Sequence, residues 1–279
     1  MISDTILLND GHYMPRPGCG FWQVDRWEVE QLIQRALQAG FRHFDTAQAY
    51  FNEEGVGQAL KHCEVAREEL FITSKIRGRD MGYEQTLDSF EVTINDLGLE
   101  YLDLFLIHWP MPAKNLYVET WMALIKLQAS GRIRSIGVSN FTCEHIKRLI
   151  EETGVVPAVN QLELHPHFQQ RDTRDFHRNA GIAIQSYSPF GSNGAAVLRN
   201  PLIMLLARQH ARTPAQIVLR WHLQQGLTPL PRTTNGARFK ENANIWDFEL
   251  SEDDMKLMMS LDTRTGNTQP LPDEMNMNF

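Results

Sequence analysis

Residues 87–108 read LDSFEVTINDLGLEYLDLFLIH, and this stretch holds the unit from which the chain is built. Leu87, Phe90, Ile94 and Leu97 recur at helical spacing on one face. Gly98 follows, and glycine suits the left-handed position just past a helix end. The run from Tyr101 to His108 is then apolar with little alternation, as a parallel strand covered on both faces should be. It ends on a histidine. The order is helix, glycine, buried strand, polar residue.

The same order recurs on both sides. Leu32, Ile33, Ala36 and Leu37 share a face ahead of Gly40, and Phe41 to Asp45 comes next. Gly131, Gly154, Gly181 and Gly226 precede the runs Arg132 to Ser139, Val155 to Gln161, Ile182 to Tyr187 and Leu227 to Pro231. Leu70 to Lys75 and an opening strand near Gly18 to Trp22 bring the count to eight strands with helices between them, over the length of one (β/α)8 barrel. The expected fold is therefore α/β, a TIM barrel, with residues 1–279 forming a single domain. Thr5 to Met14 alternates around Asp10-Gly11, which predicts a β-hairpin ahead of the barrel. From Leu261 to Phe279 periodicity fades among prolines and polar residues, which predicts a tail packed over the barrel mouth or a loop.

Composition excludes several classes of function. A net charge of −7, with 42% hydrophobic and 22% charged residues, suits a soluble globular protein and disfavours a broad phosphate-binding surface, so no nucleic-acid partner is expected. The opening MISDTILLND lacks the cationic start and apolar run of a signal peptide, and no stretch is apolar for long enough to span a bilayer. A cytoplasmic location without membrane attachment is the expectation. Cys19, Cys63 and Cys143 are odd in number and match neither zinc nor C-x-x-C spacing, so they read as reduced thiols.

In such a barrel the carboxyl ends of the strands face one pocket, and there this sequence places Trp22, Asp45, Lys75, His108, Ser139, Asn140, Gln161, Tyr187 and Arg232. Each has a bland alternative: a strand-end aspartate often caps a helix, and a strand-end histidine is often a satisfied buried group. Together Asp45, Tyr50, Lys75 and His108 suit carbonyl reduction. That reaction needs a hydride donor toward carbon and a proton donor toward oxygen, and a phenol gives its proton when its anion is stabilised. Lys75 would lower the Tyr50 pKa, Asp45 would keep the lysine charged, and His108 would orient the carbonyl oxygen. Tyr50 as a surface phenol, with Asp45 and Lys75 as an ion pair in the wall, stays open beside this reading, since a barrel end hosts many chemistries.

At these residues the sequence resembles the aldo-keto reductases. The matching segments are FRHFDTAQAYFNEEGVG (41–57), FITSKI (71–76), DLFLIHWP (103–110), IGVSNF (136–141), VVPAVNQLELHP (155–166), SYSPFG (186–191) and LPRTTNGARFKENANIWDFELS (230–251). Within the family it is similar to the bacterial 2,5-diketo-D-gluconate reductases, through HWPMPAKNLYVETW (108–121) and TPAQIVLRWHLQQG (213–226). The resemblance implies a catalytic tetrad of Tyr50, Asp45, Lys75 and His108, with the phenol as general acid and base. It implies NADPH, with NADH less favoured, laid across the barrel mouth without a G-x-G-x-x-G site. Ser139, Asn140 and Gln161 would hydrogen-bond the carboxamide, Tyr187 would stack on the nicotinamide ring, Ser188, Phe190 and Gly191 would lie along the pyrophosphate, and Trp22 would also belong to the cofactor site. Arg232, Thr233 and Arg238 would hold the 2′-phosphate, with Glu241 and Asn242 near the adenine. The substrate would be a small carbonyl compound (2,5-diketo-D-gluconate, methylglyoxal, an α-keto ester or an aromatic aldehyde), and the protein a monomer.

Several positions depart from the family's pattern. Phe51 follows Tyr50 where relatives usually carry glycine, which predicts a large ring near the pocket, with Trp22, His108 and Trp109 as its companions around substrate. Arg232 and Thr233 stand for a common lysine and serine, and Asn235 with Gly236 alters the helix start that follows. His165 and His167 form an H-x-H pair with no evident third ligand, so no metal is expected. Ser251, heading an acidic first turn, predicts a helix start. Two other readings compete: a non-catalytic barrel that binds NADPH as a sensor or subunit, and a barrel isomerase or hydrolase, whose G-x-S-x-G elbow and metal cluster are missing.

Overall fold

The computed structural model describes residues 4–191 and 194–276. Asp4–Leu7 (β1) and Tyr13–Arg16 (β2) pair antiparallel as the predicted hairpin. Its connection is longer than a two-residue turn and is tied by Leu8 N–H donating to His12 O at 2.8 Å. Leu8 and Met14 are buried against Phe71, Leu104, Leu106 and Val159, so the hairpin plugs the amino-terminal end of the barrel.

The barrel strands are Cys19–Gly20 (β3), His43–Asp45 (β4), Phe71–Ile76 (β5), Leu102–Ile107 (β6), Ile133–Ser139 (β7), Val159–Glu163 (β8), Ala183–Tyr187 (β9) and Thr228–Leu230 (β10), each parallel to its neighbours in chain order. Gly18 N–H donates to Pro229 O at 3.1 Å and Gly20 N–H to Pro231 O at 3.2 Å, which brings the two ends of the sheet together. Eight parallel strands with helices between them make the expected (β/α)8 barrel.

The helices are Arg26–Gln38 (α1), Glu53–Lys61 (α2), Tyr83–Leu97 (α3), Tyr117–Ala129 (α4), Cys143–Thr153 (α5), Arg171–Ala180 (α6), Ala195–Leu198 (α7), Pro201–Gln209 (α8), Pro214–Gln224 (α9), Gly236–Ala243 (α10) and Glu252–Met259 (α11). In α3 the predicted face is the buried one: Phe90, Ile94 and Leu97 lie in the core, and Phe90 meets Phe105 of β6 edge-on at 5.4 Å. Each such buried side chain contributes roughly 1.5–3 kcal/mol. Gly98 ends the helix at φ +63, with its N–H on Asn95 O, a conformation costly for other residues. Ser251 caps α11 reciprocally with Asp254, as its acidic first turn suggested.

One strand is displaced from expectation. The run predicted as Val155 to Gln161 is loop until Pro157, which has no N–H for a ladder, and β8 runs from Val159 to Glu163. The residue at that strand's carboxyl end is thus Glu163. Beyond Leu261 the chain crosses the barrel mouth, as one of the two expectations had it; residues 277–279 of that tail lie outside the described residues. Among the described residues no helix is long and apolar enough to cross a membrane.

Candidate active site

A cavity of about 470 Å³ opens at the carboxyl end of the barrel. Asp45, Tyr50, His108, Ser139, Asn140, Gln161 and Tyr187 line it, together with Trp22, Trp109, Ser188, Phe190, Gly191, Arg232 and Arg238. Residues dispersed over the chain from Trp22 to Arg238 meet there because most sit at or just past a strand end, while Gln161 lies within β8 and Arg238 on α10.

Tyr50 is delivered by the turn after β4. Residues Gln48–Tyr50 form one 3₁₀ turn, and buried amides pin it on both sides. Gln48 Nε2 donates to Ser89 O at 3.1 Å and Thr93 Oγ1 at 2.9 Å, while Asn52 Nδ2 donates to Phe21 O and Val24 O, each at 3.0 Å. The phenol is thereby aimed inward. Behind it lies Lys75 of β5, fully buried, whose Nζ donates to Asp45 Oδ1 at 2.6 Å, Thr46 O at 2.9 Å and the Tyr50 hydroxyl at 3.2 Å. Gln161 Nε2 holds the other Asp45 oxygen at 2.7 Å. The His108 ring stands edge-on to Tyr50, centroids 5.6 Å apart.

Burial governs the protonation states. It pushes the Tyr50 phenol well above its ordinary value, with the Asp45 charge acting in the same direction. The net direction is thus the opposite of the one expected from Lys75 alone, because burial disfavours the phenolate, and the group stands ready as an acid. Burial lowers Lys75, and Asp45 is the main counterweight that keeps it charged. His108 lies well below its ordinary value through burial and then the Lys75 charge, so its imidazole is neutral at pH 7.

Around this centre the polar groups are organised. Asn140 Nδ2 donates to His108 O and Ser139 Oγ, each at 3.1 Å, and its Oδ1 accepts from the Tyr187 hydroxyl at 2.8 Å. At the outer end Arg232 Nη1 donates to Trp22 O at 3.1 Å and Gln23 Oε1 at 3.3 Å, bridging the mouth beside the Trp22 ring. Asn235 caps α10 through Ala237 N–H at 2.9 Å, and at Gly236 a Cβ would stand 3.0 Å from Arg35 Cδ, a tight contact that a small shift of the arginine side chain relieves.

Some predicted residues lie elsewhere. Phe51 does not join the cavity wall: the residue is 70% exposed and borders a separate depression with Arg26, Glu54 and Arg77. Its backbone is left-handed, φ +55, so glycine is favoured at this position by the turn and not by pocket size. Thr233, Glu241 and Asn242 are outside the cavity wall; Thr233 Oγ1 accepts from Asn235 N–H at 3.0 Å, and Glu241 accepts from Thr213 Oγ1 at 2.6 Å. His167 meets Asn200 at 3.2 Å, and His165 lies 3.5 Å from Glu163. Among the described residues no three His, Cys, Asp or Glu gather as a metal site.

The cavity also has lining that sequence reasoning missed: Gly20, Ala49, Pro189, Gly194, Leu198, Leu230, and from the tail Gln269, Pro270 and Met275. Their side chains carry little or no titratable chemistry, so only the fold could find them. Gln48 and Asn52, which fix Tyr50, were legible only as polar residues flanking it.

Comparison with known proteins accords with this geometry. The Aldo/keto reductase family matches residues 15–263. The chain is 46% identical to an aldo-keto reductase of Mycolicibacterium smegmatis, over all of this chain and 99% of that one. It is 47% identical to the methylglyoxal reductase DkgA of Escherichia coli O157:H7, over 94% of this chain and 95% of that one. A solved structure of a Gox0644 mutant in complex with NADPH superposes with a TM-score of 0.94 at 43% identity, covering 99% of both chains. The barrel, the buried lysine–tyrosine–aspartate group at its carboxyl end and these likenesses lead to one conclusion: the chain belongs to the aldo/keto reductase family.

Proposed function

We propose that this protein is an NADPH-dependent carbonyl reductase, a single-domain cytoplasmic monomer in which Tyr50 is the proton donor. The observation that carries the reading is Lys75 Nζ, buried between Asp45 Oδ1 at 2.6 Å and the Tyr50 hydroxyl at 3.2 Å, two residues that line an open cavity. The cofactor, when bound, supplies a hydride to the carbonyl carbon. Tyr50 passes its proton to the carbonyl oxygen, and the phenolate left behind is held by Lys75, which Asp45 keeps charged. Neutral His108 orients the carbonyl oxygen by hydrogen bonding. Positioned proton transfer of this kind is worth about 10²–10⁴ in rate.

The donor set fits the cofactor. Ser139, Asn140 and Gln161 offer the groups a carboxamide needs, and the Tyr187 ring lies beside them for stacking. Ser188, Phe190 and Gly191 line the same cavity as two exposed guanidiniums, Arg232 and Arg238, suited to a 2′-phosphate, which favours NADPH over NADH. Thr233, Glu241 and Asn242 flank Arg238 in sequence but stand outside the cavity wall, so the adenosine side is assigned to Arg232 and Arg238. Trp22, His108 and Trp109 face substrate. Methylglyoxal, 2,5-diketo-D-gluconate, α-keto esters and aromatic aldehydes are the substrates to test, the first because of the relatives named methylglyoxal reductase. Loss of NADPH absorbance with this panel should show turnover that falls about 10³-fold in Tyr50→Phe with NADPH binding retained. No turnover of any carbonyl despite tight NADPH binding would overturn the reading.

A further inference from the structure

Glu163, the last residue of β8, is 3% exposed and plays no part in the chemistry above. Its carboxylate is taken up by the carboxyl-terminal tail. Thr268 N–H donates to both oxygens, at 3.0 and 2.9 Å, Thr268 Oγ1 donates to Oε1, and Gln269 N–H donates to Oε2 at 3.1 Å. His165 Nε2 flanks Oε1 at 3.5 Å, and Gln170 Nε2 fixes the Glu163 backbone carbonyl at 2.7 Å. The tail reaches this point along a second tie, Thr263 N–H and Oγ1 on His167 O at 3.0 and 2.8 Å, and then enters the cavity wall as Gln269 and Pro270.

We infer that Glu163 is a positioning residue: by clamping Thr268 and Gln269 it holds a strap of the tail across the cavity mouth and so sets which carbonyl compounds enter. The substrate half of this inference rests on the reductase reading. Three tail donors on one buried carboxylate make a charge-assisted anchor, stronger than hydrogen bonds between neutral groups. Burial raises the carboxyl, but the bonds from His165, Thr268 and Gln269 together bring it below its ordinary range, so the anchor stays ionised. Glu163→Gln keeps the shape and replaces one acceptor by an amide that points donors at the donors of Thr268 and Gln269.

The test measures amide exchange in the tail together with the kcat/KM ratio of a bulky aromatic aldehyde to methylglyoxal. In Glu163→Gln, exchange at Thr268 and Gln269 should rise about tenfold or more, and the ratio should rise about fivefold, with NADPH affinity within about twofold of wild type. Thr268→Val, which removes one donor and leaves the carboxylate, should move both readouts in the same direction by less. Unchanged exchange, or an unchanged ratio beside a lower Tm, would overturn the inference and leave Glu163 a purely structural residue. Should wild type reduce neither aldehyde, the reductase reading fails, and the clamp still stands or falls on the exchange measurement.

Discussion

Asp103 and Asp45 sit at opposite ends of the barrel, and each is a buried carboxylate held by cations. Asp103, near the start of β6, lies 2.7 Å from Arg67 and 3.1 Å from Arg134, and also accepts Ile72 N–H at 2.9 Å. Both guanidiniums lie over the Tyr101 ring, at 4.1 and 4.2 Å. Asp45, at the end of β4, holds Lys75 and Gln161. The decisive difference is the cation. An arginine keeps its proton in any protein setting, whereas a buried lysine gives it up readily. The amino-terminal end thus carries permanent cations against a carboxyl that burial raises, and the carboxyl-terminal end a cation whose charge depends on its neighbour.

Paired substitutions would break this comparison if it is wrong. Asp45→Asn removes the counterweight that keeps Lys75 charged, so turnover should fall about 10²-fold or more, while the lysine sheds its proton and limits the loss of Tm. Asp103→Asn should do the reverse. Two guanidiniums that cannot neutralise, but that are 20% and 38% exposed and so partly screened, should cost about 1–2 kcal/mol in a denaturant titration, with kcat per folded molecule within about twofold of wild type. Equal losses of activity, or equal losses of stability, would erase the distinction between the ends.

The interior between the ends titrates in a predictable direction. Burial lowers His43 and His222 to about 4 each from 6.5, and His108 moves the same way. Below pH 6.5 the unfolded chain takes protons that the folded chain refuses, so each residue removes roughly 1.4 kcal/mol of stability per pH unit down to its folded value. Glu53, raised to about 7 from 4.5 chiefly by burial, works oppositely: its contribution is present at low pH and is lost as pH rises through 7. Asp103, also raised by burial, adds to Glu53, and His177, also lowered, adds to the histidines; the histidines outnumber these carboxyls, and the denaturant midpoint should be lower at pH 5 than at pH 7. A midpoint independent of pH over that range would contradict the buried, neutral histidines.

Smaller effects sharpen the carboxyl-terminal side. Arg232→Ala should lower the preference for NADPH over NADH about tenfold, through one lost charge-assisted contact. Equal efficiency with both cofactors before and after the change would remove Arg232 from cofactor choice. Phe51→Gly should leave kcat/KM within about twofold and shift stability by about 1 kcal/mol or less, since relief of the left-handed backbone is balanced by a more flexible unfolded chain. A large change in substrate selectivity in that variant would place the ring back in the pocket.

Much of this site was legible in advance because barrel strand ends converge whatever the loops between them do. Asp45, Lys75, His108, Ser139 and Tyr187 could be placed by strand counting alone. Phe51 could not, since the direction of a side chain on a one-turn segment depends on the sign of φ, which local pattern does not reveal. Glu163 was hidden by a strand displaced past Pro157, and its partners Thr268 and Gln269 lie in a tail without periodicity.

The sequence by itself determined the barrel and the residues that gather at its mouth, because helix faces, glycine stops and buried runs are local signals repeated along the chain. Tertiary structure alone decided the rest. It decided that burial raises the Tyr50 phenol, that Phe51 turns outward, and that the tail is tied to Glu163. These depend on desolvation and on contacts between residues far apart in sequence, which no local pattern encodes.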